Sequence, residues 1–195
     1  MSQIKLIVGL GNPGPVYEQH RHNVGVWFIE ALARQYNAVL RPEIKLRART
    51  AVVSIDQNEY RLLVPMTYMN ESGFSVGATA QFYKIPVKSI LVIHDELDLA
   101  PGTVRIKQGG GHAGHNGLRH IIQIIGDSDF FRIRIGIGHP GDRDKVSDYV
   151  LSRPNQQDLH SITSTIEETI NRLSTLLAPE YRAKAIEQLH IFKAN

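Results

Sequence analysis

A chain of 195 residues with no cysteine excludes disulfide frameworks, thiol nucleophiles, cysteine-held zinc and iron–sulfur clusters. Its 42% apolar and 21% charged residues match an ordinary globular protein able to bury a core unaided, expected as one domain over residues 1–195. The net charge of +3 is unevenly spread: seven basic residues face four acidic ones between Gly102 and Lys145, and Arg41, Lys45, Arg47 and Arg49 form a second run broken by Glu43, patches that suit a polyanion or plain solvated surface equally.

The N-terminal run Met1–Val8 enters a strand-like segment with no basic and apolar leader pattern, and no stretch reaches the length of a membrane span, so a cytoplasmic protein without membrane association is expected. Apolar runs at Ile4–Leu10, Ala51–Ile55, Arg61–Val64, Ile90–Ile93, Val104–Lys107 and Ile133–Ile137 predict strands of a largely buried sheet. Asn23 is placed to cap a helix carrying Val24, Trp27, Phe28, Ala31 and Leu32. Asp56-Gln57-Asn58-Glu59 reads as the turn of a hairpin. Gly114–Gly126 puts Leu118, Ile121, Ile122 and Ile125 on one helical face, with Gly126 as the stop. After Pro154, the series Leu159, Ile162, Ile166, Ile170, Leu173 and Leu177 predicts one long amphipathic helix. The alternation implies an α/β fold, a three-layer α/β/α domain with a mixed, largely parallel sheet. Asn12, Asn70 and His94-Asp95 are expected just beyond strand ends, where ligands of open α/β sheets bind.

Gly9-Leu10-Gly11-Asn12-Pro13-Gly14 formally satisfies the dinucleotide pattern, but Pro13 has no N–H for a pyrophosphate, and Glu30, where an acidic ribose ligand is wanted, falls in a helix. A tight turn that displays Asn12 is the better reading. His22, in Tyr17-Glu18-Gln19-His20-Arg21-His22-Asn23, has the side chain for proton transfer near neutral pH, and a carboxylate such as Asp95 can orient it. The acids of His94–Leu99 with His112 and His115 leave a metal site conceivable, although no H-E-x-x-H pattern occurs. The glycine-rich stretch Gly109–Gly117 leads into a helix and is suited to bringing backbone N–H groups near an anion or a carbonyl oxygen. Neither a P-loop lysine nor a G-x-S-x-G elbow is present.

Taken together, Gly9–Gly14, Tyr17, Arg21–Gly25, Met69–Gly73, His94–Asp98, Gly110–Gly117 and Arg134–Gly141 closely resemble the bacterial peptidyl-tRNA hydrolase family, in family order. The resemblance implies a monomeric esterase, free of metal and other cofactors, that cleaves the bond between a peptide and the 3′-terminal ribose of tRNA. On it, His22 is the general base and Asp95 its orienting carboxylate. Asn12, Asn70 and Asn116 bind the peptidyl-adenosine end, with Tyr17, Tyr68, Met69 and His115 around it. Lys107 and Arg134 match the clamp for the tRNA 5′-phosphate, and Arg143 and Lys145, in the loop before the C-terminal helix, are placed for the acceptor arm. Two positions depart from the family pattern: His20, where threonine is common, and Ala113, where glycine is common. A noncatalytic RNA-binding module and, from Gly9–Gly14, a dinucleotide-dependent oxidoreductase are the alternatives.

Overall fold

The computed structural model describes residues 2–194; Met1, the first residue of the N-terminal run, and Asn195 lie outside them. The strands are β1 (Leu6–Gly9), β2 (Arg41–Glu43), β3 (Ala48–Ile55), β4 (Asn58–Pro65), β5 (Ile90–Glu96), β6 (Val104–Gln108) and β7 (Phe131–Gly136). They form one seven-stranded sheet in the order β2-β3-β4-β1-β5-β7-β6. β4, β1, β5 and β7 run parallel; β3 on one side and β6 on the other oppose them, and β2 pairs antiparallel with β3 at the edge. The mixed sheet is therefore as expected, and β5, buried at every residue, is the continuous apolar run of a central parallel strand until it ends in His94-Asp95-Glu96.

The helices are α1 (Val24–Gln35), α2 (Ser72–Phe82), α3 (Asn116–Ile125), α4 (Val146–Val150), α5 (Gln156–Asn171), α6 (Leu173–Leu177) and α7 (Arg182–Ile191). One apolar cluster joins one face of the sheet to α1, α5, α6 and α7, with Phe28, Ile93, Ile133, Ile166 and Leu189 at its centre. A second, with Val8, Val76, Val92, Leu118 and Ile121, joins the opposite face to α2 and α3. The three-layer arrangement follows. Among the described residues no helix is long and apolar enough to cross a membrane.

Several expectations change in detail. The C-terminal helix breaks at Arg172 into α5 and α6, and α7 follows it unanticipated. α2 also went unpredicted, because its sequence SGFSVGATAQF is small and apolar all round and carries no one-sided stripe. The hairpin turn is Asp56-Gln57, both at positive φ (48° and 64°), the geometry of a two-residue turn that matches strand twist. His94 and Asp95 lie within β5, not after it, since hydrogen bonding to β7 continues through Asp95↔Ile135 and Glu96↔Gly136. Arg143 and Lys145 occupy a single 3-10 turn that leads into α4.

The glycines of the first turn have a packing explanation. A Cβ on Gly9 would stand 2.2 Å from the Gly25 carbonyl oxygen, and one on Gly25 would stand 2.4 Å from the Ile93 oxygen. Their absence lets α1 press against β1 and β5 at the strand ends, which brings His22, just before α1, over the end of β5.

Candidate active site

Three consecutive residues of a 3-10 turn, Arg21–Asn23, are fastened in three directions. Arg21 donates to Ser152 Oγ (2.8 Å) and the Arg153 carbonyl (2.7 Å), pairs with Asp158 (3.2 Å) and lies over the Tyr149 ring, so it ties the turn to the segment after α4. Asn23 does not cap α1; its side chain accepts from the Asn12 N–H and donates to the Asn12 carbonyl, both at 2.9 Å. Between them, His22 places Nδ1 2.9 Å from each oxygen of Asp95.

Asp95 takes a second imidazole: His115 Nε2 lies 2.9 Å from Oδ1. His115 Nδ1, the N-cap of α3, accepts from the Leu118 N–H (3.3 Å), so the ring's proton sits on Nε2 and points at the carboxylate. The same logic puts the His22 proton on Nδ1 and leaves Nε2 with a free lone pair. Burial opposes ionisation of Asp95, but His22 and His115 reverse that balance and hold its carboxyl well below the usual range. Burial also disfavours a charged His22, and the Asp95 charge and hydrogen bond overcome it, so its pKa is raised. Behind them His94 donates Nδ1–H to the Asp95 carbonyl (2.7 Å), and burial drives its pKa down to about 3, so it stays neutral.

Asn12 is equally constrained. Its Oδ1 accepts the Met69 N–H at 2.8 Å, which joins the β1 turn to the turn after β4 and leaves Nδ2 as a free donor. Asn116 Oδ1 accepts from Arg119 (2.7 Å), again leaving an N–H donor. A cleft of about 790 Å³ gathers every site residue named from the sequence except Lys145, which is exposed and lies 3.8 Å from Asp142. At its far end Arg134 Nε pairs with Glu96 (2.9 Å), while Lys107 and Arg143 are exposed.

A family model described as peptidyl-tRNA hydrolase matches residues 6–195. The chain belongs to the peptidyl-tRNA hydrolase family. It is 52% identical to the peptidyl-tRNA hydrolase of Actinobacillus pleuropneumoniae serotype 5b over 195 residues, 100% of both chains. To that of Haemophilus influenzae it is 51% identical over 194 residues, covering 99% of this chain and 100% of that one. A crystal structure of peptidyl-tRNA hydrolase from Acinetobacter baumannii superposes with a TM-score of 0.94 at 44% identity, covering 99% of this chain and 97% of the other.

Against the family pattern, the two departures are absorbed locally. His20 sets its ring edge against Tyr17 (centroids 5.5 Å apart), its pKa is lowered by burial and by Arg153, and the His22–Asp95 contact stands beside it. Ala113 adopts a positive φ of 47°, which a glycine adopts at less cost. His112 does not join a metal-type cluster with His115; its Nδ1 accepts from the Gly114 N–H. His22, Asp95 and His115 do bring one ligand-type atom each within 4.8 Å of one another, but His115 spends its Nδ1 lone pair on Leu118 and offers Asp95 a proton, which is a hydrogen-bond arrangement. Two residues have structural roles that the sequence does not announce: Asn23, expected as a helix cap, clasps the Asn12 backbone instead, and Arg132 carries no signal beyond its alternation with Arg134.

Proposed function

We propose that His22, oriented by Asp95, activates water against the ester that joins peptide to tRNA, the reaction of the family to which the chain belongs. The observation that carries this reading is the Asp95 carboxylate, buried and 2.9 Å from His22 Nδ1, which aims the basic Nε2 away from itself. His22 Nε2 takes a proton from water as the oxygen attacks the carbonyl carbon. The free amide N–H groups of Asn12 and Asn116, with Asn70 beside them in the cleft, serve the developing oxyanion and the terminal adenosine. Collapse breaks the bond to the ribose oxygen, which receives the proton held by His22. An ester's alkoxide leaves readily enough that no covalent enzyme intermediate is needed.

Tyr17 and Tyr68, ring edge to face with centroids 6.2 Å apart, wall the peptide side with Met69, while His115 keeps Asp95 in place. Lys107 and Arg134 receive the 5′-phosphate, Arg143 and Lys145 the acceptor arm, and the enzyme acts as a monomer with no cofactor. The test is release of free tRNA from a defined N-acyl-aminoacyl-tRNA with chelator present. Wild type cleaves, and His22→Ala loses roughly 10²–10⁴-fold in rate with its melting transition intact. Binding without cleavage by the wild type would instead establish an RNA-binding module.

A further inference from the structure

The glycine-rich loop links the phosphate side of the cleft to the catalytic side. It starts at the end of β6, where Gln108 pairs with Phe131, and reaches His115 beside Asp95, level with Ile135. Gly109, Gly110, Ala113 and Gly114 all have positive φ (69°, 91°, 47° and 82°), so its path needs something to hold it.

Arg132 does so. It is 3% exposed, and its Nη1 and Nη2 donate to the carbonyls of Gly111 (2.6 Å) and Gly110 (2.5 Å). Its Nε has no partner among the described residues, so the two loop carbonyls take the whole of its hydrogen bonding. Lys107 pairs with Arg132 and Arg105 with Arg134 across β6 and β7, which sets all four cations on one sheet face. Arg132 is nonetheless spent on the loop and is not presented to a ligand. Lys107 folds against the same loop: a Cβ on Gly110 would stand 2.6 Å from its Nζ.

No peptide here is cis, and in a trans peptide the N–H points opposite the carbonyl of the same unit. The carbonyls of Gly110 and Gly111 face Arg132, so the N–H groups of Gly111 and His112 face away from it. Among the described residues neither N–H donates to another group of the chain. Both residues line the cleft with Lys107 and Arg134. Glu96 occupies Arg134 Nε only, which leaves that guanidinium's terminal nitrogens free to bind an anion.

We infer that Arg132 is a positioning residue for phosphate binding: it turns the Gly111 and His112 N–H groups outward beside Lys107, so that the 5′-phosphate of the tRNA meets two backbone donors as well as two cations. The inference rests on the reading of Lys107 and Arg134 as the phosphate clamp. A lysine in place of Arg132 keeps the charge but cannot span two consecutive carbonyls.

The experiment compares kcat/KM for one N-acyl-aminoacyl-tRNA carrying a 5′-phosphate and the same RNA with a 5′-hydroxyl, in wild type, Arg132→Lys, Arg132→Gln and Lys107→Ala. The phosphate-to-hydroxyl ratio is expected to fall by roughly tenfold in both Arg132 variants, the loss of about one charge-assisted hydrogen bond. A wild-type ratio in Arg132→Lys would overturn the inference, whether charge alone suffices or the loop needs no brace. If Lys107→Ala itself keeps the ratio, the clamp reading falls and this inference with it; if only Lys107→Ala lowers it, the clamp stands and the role of Arg132 does not. Should Arg132→Gln show no cooperative melt, Arg132→Lys decides alone.

Discussion

The two ends of the cleft are built on opposite plans. At the proposed catalytic end His22 and Asp95 are 8% and 4% exposed, and each is bonded to a partner that is itself bonded. At the other end Lys107 and Arg143 are exposed, and Lys107 forms no ion pair among the described residues. General-base chemistry needs one nitrogen at one place with one tautomer, and burial and hydrogen bonds fix that arrangement before substrate arrives. A phosphate backbone asks for charge within reach and tolerates side chains that settle on binding. Substitutions at the first end should therefore act on rate and its pH dependence, and those at the second on affinity and its salt dependence.

Asp95→Asn tests that division most severely. It removes the charge that raises the His22 pKa and replaces one of the two oxygens that His22 and His115 share with an N–H donor, so kcat should fall by roughly 10²-fold or more. The direction in pH is fixed as well. Wild-type activity should be lost as His22 protonates, on an acid limb that Asp95 places above the ordinary histidine value; without the charge, burial prevails and the limb should move to lower pH. A pH–kcat/KM profile that kept its wild-type midpoint would separate Asp95 from the titration of His22.

Asn23→Ala probes how far the fixed end extends. Among the described residues its side chain hydrogen-bonds only to Asn12, whose backbone it clasps with two bonds at 2.9 Å. Losing both should cost about 2 kcal/mol of stability, read from chemical denaturation. The released Asn12 turn should also lower kcat by roughly tenfold through misplacement alone, while salt dependence stays as it was. A destabilised variant with undiminished kcat would show that Asn12 holds its place through Met69 alone.

These two ends were also unequally legible in the sequence. The parallel core strands, α1, α3 and the topological meeting of Asn12, Asn70 and Asp95 follow from apolar runs, because period and burial are local properties. α2 escaped because it has no one-sided apolar stripe, α7 because a buried arginine, Arg182, shares its inner face with Ala185 and Leu189, and the break at Arg172 because Ile170, Leu173 and Leu177 keep a helical rhythm across it. His22 and Asp95 could be paired as types, yet nothing in the order of residues says that Asp95 is shared with His115. Asn23 looked like a cap since asparagine before a helix usually is one; only the close approach of α1 to β1, permitted by Gly9 and Gly25, puts the Asn12 backbone within its reach. The basic run Arg41–Arg49 read as one patch, whereas Arg49 is paired with Glu30 (2.8 Å) and Arg47 lies over Phe74, so the chain folds it into separate surroundings.

Lys107→Ala is the mildest of these changes and the cleanest probe of the exposed end. Lys107 is exposed and forms no ion pair among the described residues, so its loss should weaken a 5′-phosphorylated substrate by roughly threefold to tenfold and a peptidyl-adenosine fragment far less. The decisive reading is the salt slope. Each phosphate contact releases a counterion, and removing one should reduce the slope of log Kd against log salt for tRNA by about 1. That change belongs to a charge that acts through solvent and ions. If the slope held while kcat fell, Lys107 would belong with the fixed, buried end, and the division between the two halves of the cleft would fail at the residue where they meet.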